Sequence, residues 1–194
     1  MSVMTASRTA WPDDRPMTVA DLNQLYGDGC RYELDDGVLV VSPPPANIHQ
    51  LVASRLQTLL DGSGPPEYLV ISGNGVEISN TQYRIPDLIV VLTGQYEVTA
   101  TSTTKPPVLA IEVASPSTAL YDRNRKKDVY AGFGIASYWI VTPSLDMPRL
   151  VAYELGRDGY HEVGDVSGDQ AFTASRPFAV TIVPAELVAG PWQG

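Results

Sequence analysis

Three consecutive runs decide the fold of this chain: Val108-Leu-Ala-Ile-Glu-Val-Ala114, Tyr121-Asp-Arg-Asn-Arg-Lys-Lys-Asp-Val-Tyr-Ala-Gly-Phe133 and Tyr138-Trp-Ile-Val141. The first and third runs are short and apolar, which is typical of buried strands, whereas the middle run has the length and composition of a helix. A strand, a helix and a second strand in this order predict a βαβ unit. We therefore expect a mixed β-sheet covered by helices.

The rest of the chain extends this α/β pattern in both directions. The dipeptide Asp36-Gly37 joins two apolar runs and predicts a β-hairpin over residues 32–41. Apolar residues recur at helical spacing from Asn47 to Gly62, which predicts a helix. Three β-rich runs, at residues 68–72, 75–79 and 83–92, predict consecutive antiparallel strands. Further strands are expected at residues 150–155, 160–163 and 178–183, and a short helix at residues 184–188.

Length and composition indicate one soluble globular domain. The chain has 194 residues, of which 44% are apolar and 18% charged. We expect a mobile N-terminal tail over residues 1–16, a single domain over residues 17–190 and a short tail over residues 191–194. We expect a protein that is not exported, because no apolar run reaches membrane-spanning length and no signal core is seen. The single cysteine, Cys30, excludes an intramolecular disulfide and fits the cytoplasm.

The charge balance limits which partners the chain can bind. There are 13 Lys and Arg residues against 22 Asp and Glu residues, a formal net charge of −9. Extensive coating of nucleic acid or of an anionic membrane is therefore not expected, and a polyanion must meet a local basic patch. One such patch lies on the predicted helix and consists of Arg123, Arg125, Lys126 and Lys127. It could face phosphate, or it could be a solvated helix face neutralised by neighbouring aspartates.

Two carboxylates lie within otherwise apolar strand sequence. Asp87 precedes Leu-Ile-Val-Val-Leu, and Glu112 lies between Ile111 and Val113. Burial of an unpaired carboxylate is costly, so each group needs a cation, a hydrogen-bond network or a shifted pKa. Helical spacing also places Lys126 on the face that should pack inward toward the strand of Glu112. Two carboxylates and an ammonium group are thus expected to converge, and their hard oxygen atoms suit Mg²⁺ or Mn²⁺.

Several short sequence blocks follow one another along the chain in a fixed order. They are Arg31-Tyr-Glu-Leu-Asp-Asp-Gly-Val-Leu39, Ser42-Pro-Pro44 before His49-Gln50, Ile85-Pro-Asp87, Ile111-Glu-Val-Ala-Ser-Pro-Ser-Thr118, Tyr121-Asp-Arg123 with Lys126 following, and Tyr138-Trp-Ile-Val141. This ordered set resembles the bacterial restriction-endonuclease-like branch of the PD-(D/E)xK nuclease superfamily. The resemblance extends over roughly residues 17–190, and the ordered set is more specific than any single block.

The resemblance implies a fold and an activity. The implied fold is a central mixed β-sheet flanked by helices, with an N-terminal β-hairpin and extra C-terminal strands. The implied activity is Mg²⁺-dependent or Mn²⁺-dependent endonucleolytic hydrolysis of DNA phosphodiester bonds. Because double-strand cutting is served by two symmetry-related sites, a homodimer is also expected.

The resemblance also assigns roles to individual residues. Asp87 and Glu112 correspond to the metal-binding carboxylates, and Glu33 to an additional acidic residue that completes the metal shell. The simplest signature places a lysine two positions after the glutamate, but this position is Ala114, so Lys126 corresponds to a lysine displaced onto the following helix. The resemblance also places His49 where it could contact substrate phosphate or a carboxylate beside the metal. The basic patch on the predicted helix adds Arg123 and Arg125 as substrate-binding residues.

Two other functions remain open on the sequence alone. The chain could be a catalytically silent nuclease-fold scaffold or protein-interaction module, in which Asp87, Glu112 and Lys126 form a buried ion network. In that case Glu33 could serve only to pair with Arg31 or Arg84. A β-rich module that binds a small ligand in the same pocket is the more distant alternative.

Overall fold

The structure is a computed structural model that describes residues 7–9, 15–22, 24–25, 30–42, 44–114 and 121–192, with the backbone alone described at 7–9 and 121–123. The helices are α1 (Val19–Leu22), α2 (Asn47–Ser63), α3 (Tyr121–Phe133) and α4 (Pro184–Val188), with a 3₁₀ turn at Thr93–Gln95. The strands are β1 (Ser7–Thr9), β2 (Arg31–Asp35), β3 (Val38–Ser42), β4 (Tyr68–Ser72), β5 (Gly75–Ser79), β6 (Gln82–Arg84), β7 (Leu88–Leu92), β8 (Ser102–Thr103), β9 (Leu109–Val113), β10 (Ser137–Thr142), β11 (Arg149–Gly156), β12 (Gly159–Ser167), β13 (Phe172–Ala174) and β14 (Val180–Ile182).

The predicted βαβ unit lies at the centre of a six-stranded mixed sheet. Strands β9 and β10 are parallel, with Ser137 beside Leu109, and helix α3 connects them. The strand order is β12-β11-β10-β9-β7-β4, and the other neighbouring strands are antiparallel. This central sheet confirms the predicted fold class, a mixed sheet flanked by helices.

Helices cover both faces of the central sheet because its strands alternate apolar side chains between the faces. Helix α2 buries Val52, Leu56 and Leu60 in one core cluster, together with Ile111 and Trp139. On the opposite face, a second cluster joins residues of β9, β10 and α3, namely Ala110, Tyr130, Ile135, Tyr138 and Ile140. Lys126 of α3 therefore lies on the side of the sheet that Glu112 faces.

The predicted hairpin is confirmed, but it belongs to a second six-stranded sheet. Strands β2 and β3 pair through the turn at Asp36 and Gly37, whose φ angles of 51° and 78° suit the hairpin dipeptide. The strand order of this sheet is β1-β3-β2-β6-β5-β8. Strand β1 falls within the predicted N-terminal tail, and Arg15 of the same segment forms an ion pair with Asp21. The sequence contained no signal for that strand.

The prediction of consecutive antiparallel strands over residues 68–92 is confirmed for β5 and β6 but is wrong for β4 and β7, which pair with each other. Strand β4 pairs with β7 in the central sheet, whereas β5 pairs with β6 in the second sheet. The predicted strand over residues 83–92 is therefore two strands, separated by Ile85-Pro86-Asp87. Pro86 has no N–H to donate to a ladder, and this interruption is where the chain crosses from one sheet to the other. Asp87 lies at that crossing.

The C-terminal predictions are largely confirmed. Strands β11 and β12 form a long antiparallel pair, and α4 has the predicted bounds. The predicted strand over residues 178–183 is β14, which pairs with β13 in a separate two-stranded sheet. Strand β13 was not predicted, because its three residues are too few to show a period. Among the described residues, no helix has the length and apolar character needed to span a membrane.

Candidate active site

The predicted site residues come from both sheets and from two helices. Asp87 precedes β7, and Glu112 lies on β9 of the central sheet, whereas Glu33 lies on β2 of the second sheet. Lys126 is in the first half of α3, and His49 is in the first turn of α2. The crossing of the chain between the sheets brings these elements together, and the contacts below connect all five residues into one cluster.

Asp87 is a buried carboxylate with both oxygen atoms engaged. Arg31 Nη1 donates to Oδ1 at 2.7 Å, and the Val113 N–H donates to Oδ2 at 2.7 Å, while His49 Nε2 is 3.1 Å from Oδ2. Burial raises the pKa of Asp87, but the His49 hydrogen bond and the Arg31 charge outweigh burial and keep the pKa well below its ordinary value. Because Val113 follows Glu112, the hydrogen bond from its N–H holds Asp87 against the strand of the second carboxylate.

Glu112 receives two donors on a single oxygen atom. Tyr130 OH donates to Oε1 at 2.7 Å, and Lys126 Nζ is 3.0 Å from the same atom. No hydrogen bond from the described residues reaches Oε2. Burial raises the pKa of the Glu112 carboxyl, and although Lys126 opposes this effect, Asp87 and Glu33 add to it, so the pKa lies above its ordinary value. Within the described part of the chain, the Oε2 atom of Glu112 thus accepts no hydrogen bond.

Lys126 connects Glu112 with Glu33. Its Nζ atom lies 3.6 Å from Glu33 Oε1, and that oxygen also accepts a hydrogen bond from the Ile85 N–H at 2.8 Å. Burial lowers the pKa of Lys126, but Glu112 and Glu33 together raise it above the ordinary value. Burial raises the pKa of Glu33, and the cations Lys126, Arg31 and Arg84 bring it below the ordinary value. The ammonium group is therefore held charged between two carboxylates.

The structure describes the side chains of two of the three residues assigned to substrate binding, and these two have different contacts. His49 contacts Asp87, and among the described residues its buried Nδ1 has no partner. Arg125 forms ion pairs with Asp35 and Asp36 of the hairpin. The side chain of Arg123 lies outside the described residues. The substrate-binding roles of all three residues stay predictions.

Two residues of the cluster were not assigned to the site from sequence. Arg31 was considered only as a possible partner of Glu33, yet it donates directly to Asp87. Its position two residues before Glu33 on a strand placed both side chains on the same face, and that signal could have identified it. Tyr130 lies one helical turn after Lys126, and this spacing could have suggested that both reach Glu112.

The donor chemistry fits a hard divalent metal ion held by two carboxylates. Among the described residues, no group of three His, Cys, Asp or Glu side chains is arranged to hold a metal. Mg²⁺ does not require such a group, because it usually takes one or two carboxylates and completes its shell with water and substrate phosphate. Asp87 and Glu112 supply two carboxylates, of which Glu112 Oε2 accepts no hydrogen bond from the described chain.

Comparisons with known proteins identify the family and the fold of the chain. Residues 19–185 match the model of a family described as Uma2, putative restriction endonuclease. The crystal structure of a putative nuclease belonging to DUF820 from Anabaena variabilis has the same fold, with a TM-score of 0.71 and 16% sequence identity. The alignment covers 89% of this chain and 98% of that chain. Among curated proteins, no sequence matches this chain.

Proposed function

Because this chain belongs to the Uma2 family of putative restriction endonucleases, we propose that it is a Mg²⁺-dependent endonuclease that hydrolyses phosphodiester bonds of DNA. The observation that carries the proposal is the approach of Lys126 to Glu112, at 3.0 Å, beside Asp87. A pair of carboxylates with an ammonium group is a set suited to metal-assisted phosphoryl transfer, because the carboxylates can hold a metal and the ammonium group can stabilise developing negative charge.

Each residue of the cluster has a role in this proposal. Asp87 and Glu112 hold the metal, with Glu33 as an additional acidic group beside Lys126. When bound, the metal supplies positive charge at the phosphoryl oxygen and activates water for attack. Lys126 orients the attacking water and stabilises the negative charge that develops on the phosphorus oxygens. His49 and Arg31 fix the orientation of Asp87 by donating to opposite oxygen atoms of its carboxylate.

One observation favours the silent scaffold as a second candidate. Four largely buried carboxylates, Glu33, Asp35, Asp87 and Glu112, face four cationic side chains within 4 Å, namely Arg31, Arg84, Arg125 and Lys126. The buried charges therefore balance without an added ion, as a structural ion network requires. The two candidates differ in one measurable respect, because only the nuclease loses a chemical activity when the carboxylates are replaced by amides.

A cleavage assay tests the proposed nuclease. Wild-type protein is incubated with supercoiled plasmid and with labelled single-stranded and duplex DNA, in Mg²⁺, in Mn²⁺ or in chelator. We expect metal-dependent nicking or cleavage that Asp87→Asn and Glu112→Gln each reduce about a hundredfold or more. The matched control is Asp158→Asn, because Asp158 is exposed in the turn between β11 and β12. Cleavage that survives in both site variants would assign the activity to a contaminant.

Location and assembly complete the proposal. Double-strand cutting by two symmetry-related sites leads us to propose a homodimer, and the absence of any cysteine besides Cys30 suits the cytoplasm. Light scattering at micromolar concentration distinguishes a dimer from a monomer of 20.9 kDa. A monomer mass would remove the dimer while leaving the proposed chemistry intact.

A further inference from the structure

A cavity of about 340 Å³ adjoins the carboxylate cluster. Its lining includes Arg31 and Ile85, and both residues also contact the cluster: Arg31 donates to Asp87 through its side chain, and Ile85 donates to Glu33 through its backbone N–H. The cavity and the proposed cleavage site therefore share a wall.

The remaining lining is mostly aromatic and apolar, with two glycines, and it also includes Cys30 and Thr101. Leu22, Tyr32 and Tyr83 contribute to the wall, together with Gly73 and Gly75. A Cβ atom at Gly75 would lie 1.9 Å from the hydroxyl of Tyr83, so this glycine lets the backbone pack directly against the Tyr83 side chain. A largely apolar cavity lined by tyrosine residues suits a planar aromatic ligand.

Arg31 adds a positively charged side chain to the cavity wall. Arg31 Nη1 is bound to Asp87, whereas Nη2 is buried and has no partner within the described part of the chain. The guanidinium group of Arg31 therefore adds positive charge beside the cavity, which favours the phosphate group of a bound nucleotide. The volume, at the lower end of the range for ligand cavities, suits a group of about nucleoside size.

We propose that this cavity binds one unpaired nucleobase of the substrate, next to the phosphate that is cleaved. The inference rests on the proposed nuclease function and adds a preference to it. Because a base must leave the helical stack to enter a cavity, the protein prefers nucleic acid with unpaired nucleotides. Binding of the base to aromatic walls is tolerant of sequence, since every base has a π-face.

Cys30 provides a direct probe of the cavity. It lines the cavity, is exposed, and is the only cysteine of the chain. We would measure the rate at which iodoacetamide modifies Cys30, in chelator, with and without a deoxynucleoside monophosphate at millimolar concentration. We expect the nucleotide to slow modification about fivefold when its concentration is about four times its dissociation constant, because protection follows 1 + [L]/Kd. Inorganic phosphate and deoxyribose 5-phosphate serve as controls and should leave the rate unchanged.

Two further arms test the base and its pairing state. A single-stranded oligodeoxynucleotide should protect Cys30 at lower concentration than a duplex of the same sequence. Thr101→Trp places an indole at the cavity wall from an exposed position and should abolish protection, whereas Val98→Trp, at a residue 83% exposed outside the lining, should not. Equal modification rates with and without nucleotide, or equal protection by inorganic phosphate, would overturn the base-binding cavity.

The test of the cavity and the test of the proposed nuclease activity can fail independently of each other. If Asp87→Asn and Glu112→Gln abolish metal-dependent cleavage while nucleotides leave Cys30 unprotected, the cavity inference fails and the nuclease stands. If nucleotides protect Cys30 but no condition gives cleavage, the base-binding cavity stands and the nuclease fails.

Discussion

Lys126 Nζ lies 3.0 Å from Glu112 Oε1, although the lysine comes from the helix that follows the glutamate's strand. The simplest form of the nuclease signature carries this lysine two positions after the glutamate, where the present chain has Ala114. The helix α3 packs back onto the strand that precedes it, so an ammonium group in its first half reaches the same carboxylate. A lysine on the following helix can therefore contact this glutamate from a different position in the sequence.

Replacement of Lys126 tests the relocated lysine. We expect Lys126→Met to lower the rate of DNA cleavage by about 10²–10³-fold, because it removes the charge proposed to stabilise the transition state. Lys127→Met is the matched control, since Lys127 lies on the same helix but places its Nζ over the ring of Tyr153, at 3.8 Å. Initial rates on a labelled oligonucleotide compare the two variants. Equal losses in both would show a general effect of helix charge.

Return of the lysine to position 114 extends this test. Ala114 lies two residues after Glu112 on the same side of the strand. We expect the double variant Lys126→Met/Ala114→Lys to cleave DNA at least about tenfold faster than Lys126→Met alone. The reason is that the effect of a catalytic ammonium group depends on its distance from the reacting atoms and not on its position in the sequence. If the double variant folds with a normal circular dichroism spectrum and stays as inactive as Lys126→Met, the equivalence of the two positions is wrong.

The Tyr130 hydroxyl should orient Glu112. We expect Tyr130→Phe to weaken Mn²⁺ binding by about tenfold, the lower end of the effect of hydrogen bonds that hold a metal-ligating side chain. Tyr160→Phe is the control, because it removes a comparable 2.6 Å hydrogen bond to the Ile135 carbonyl in the same core region. Calorimetric titration measures both affinities. A matching loss in Tyr160→Phe would point to core packing as the cause.

Stability should depend on pH through Asp87. A carboxyl whose pKa is lower in the folded than in the unfolded state stabilises the fold above its unfolded pKa, and this contribution is lost as the pH falls toward the folded pKa. The ordinary pKa of an aspartate is 3.8, and the pKa of Asp87 in the folded protein is lower. The free energy of unfolding should therefore decrease as the pH is lowered beyond about 4. Urea denaturation in chelator should show a weaker decrease for Asp87→Asn. An unchanged decrease in this variant would contradict the ion pairing of Asp87.

Arg84 should be far more important to stability than an exposed arginine in a comparable pair. Its side chain is 3% exposed, with Nη2 2.6 Å from Asp35 Oδ1 and Nη1 3.9 Å from Glu33 Oε2. We expect Arg84→Met to lower the free energy of unfolding by about 3–5 kcal/mol, because it leaves two buried carboxylates without this cation. Arg149→Met breaks an exposed ion pair with Asp165 and should cost about 0–1 kcal/mol. Similar costs in urea denaturation would refute this difference.

Local sequence patterns predicted the elements that their own residues determine. The helix over residues 121–133 and the short helix over residues 184–188 have the predicted bounds, because periodicity and an N-terminal proline are local signals. The parallel pairing of β9 with β10 was also predicted, since a βαβ connection has one favoured arrangement.

The division into two sheets could not be predicted in the same way. Strands β4 to β7 follow one another in the chain, yet β4 and β7 pair in the central sheet while β5 and β6 pair in the second sheet. Pro86 marked the interruption, but the choice of partner strand depends on contacts between residues distant in sequence. The position of Asp87 at the crossing, where Arg31 of the second sheet and the Val113 N–H of the central sheet both donate to it, follows from this long-range pairing.

The cluster itself was predicted in part. Asp87, Glu112 and Lys126 were identified because charged groups in apolar runs require partners. Arg31 and Tyr130 were missed as site residues because an arginine at a strand start and a tyrosine on an apolar helix face are ordinary in sequence. Only the three-dimensional contacts distinguish Arg31, which donates to Asp87, from Arg125, which pairs with the hairpin aspartates.

The central claim is that Asp87 and Glu112 together hold a divalent metal ion at the site of hydrolysis. The most direct test is calorimetric titration of Mn²⁺ into the protein at neutral pH, alone and with a phosphorothioate oligonucleotide that resists cleavage. We expect the wild type and the control Asp158→Asn to bind one Mn²⁺ per chain, and Asp87→Asn and Glu112→Gln to bind it at least about tenfold more weakly while remaining folded. Absence of Mn²⁺ binding to the wild type under both conditions, or equal binding in all four proteins, would contradict the account.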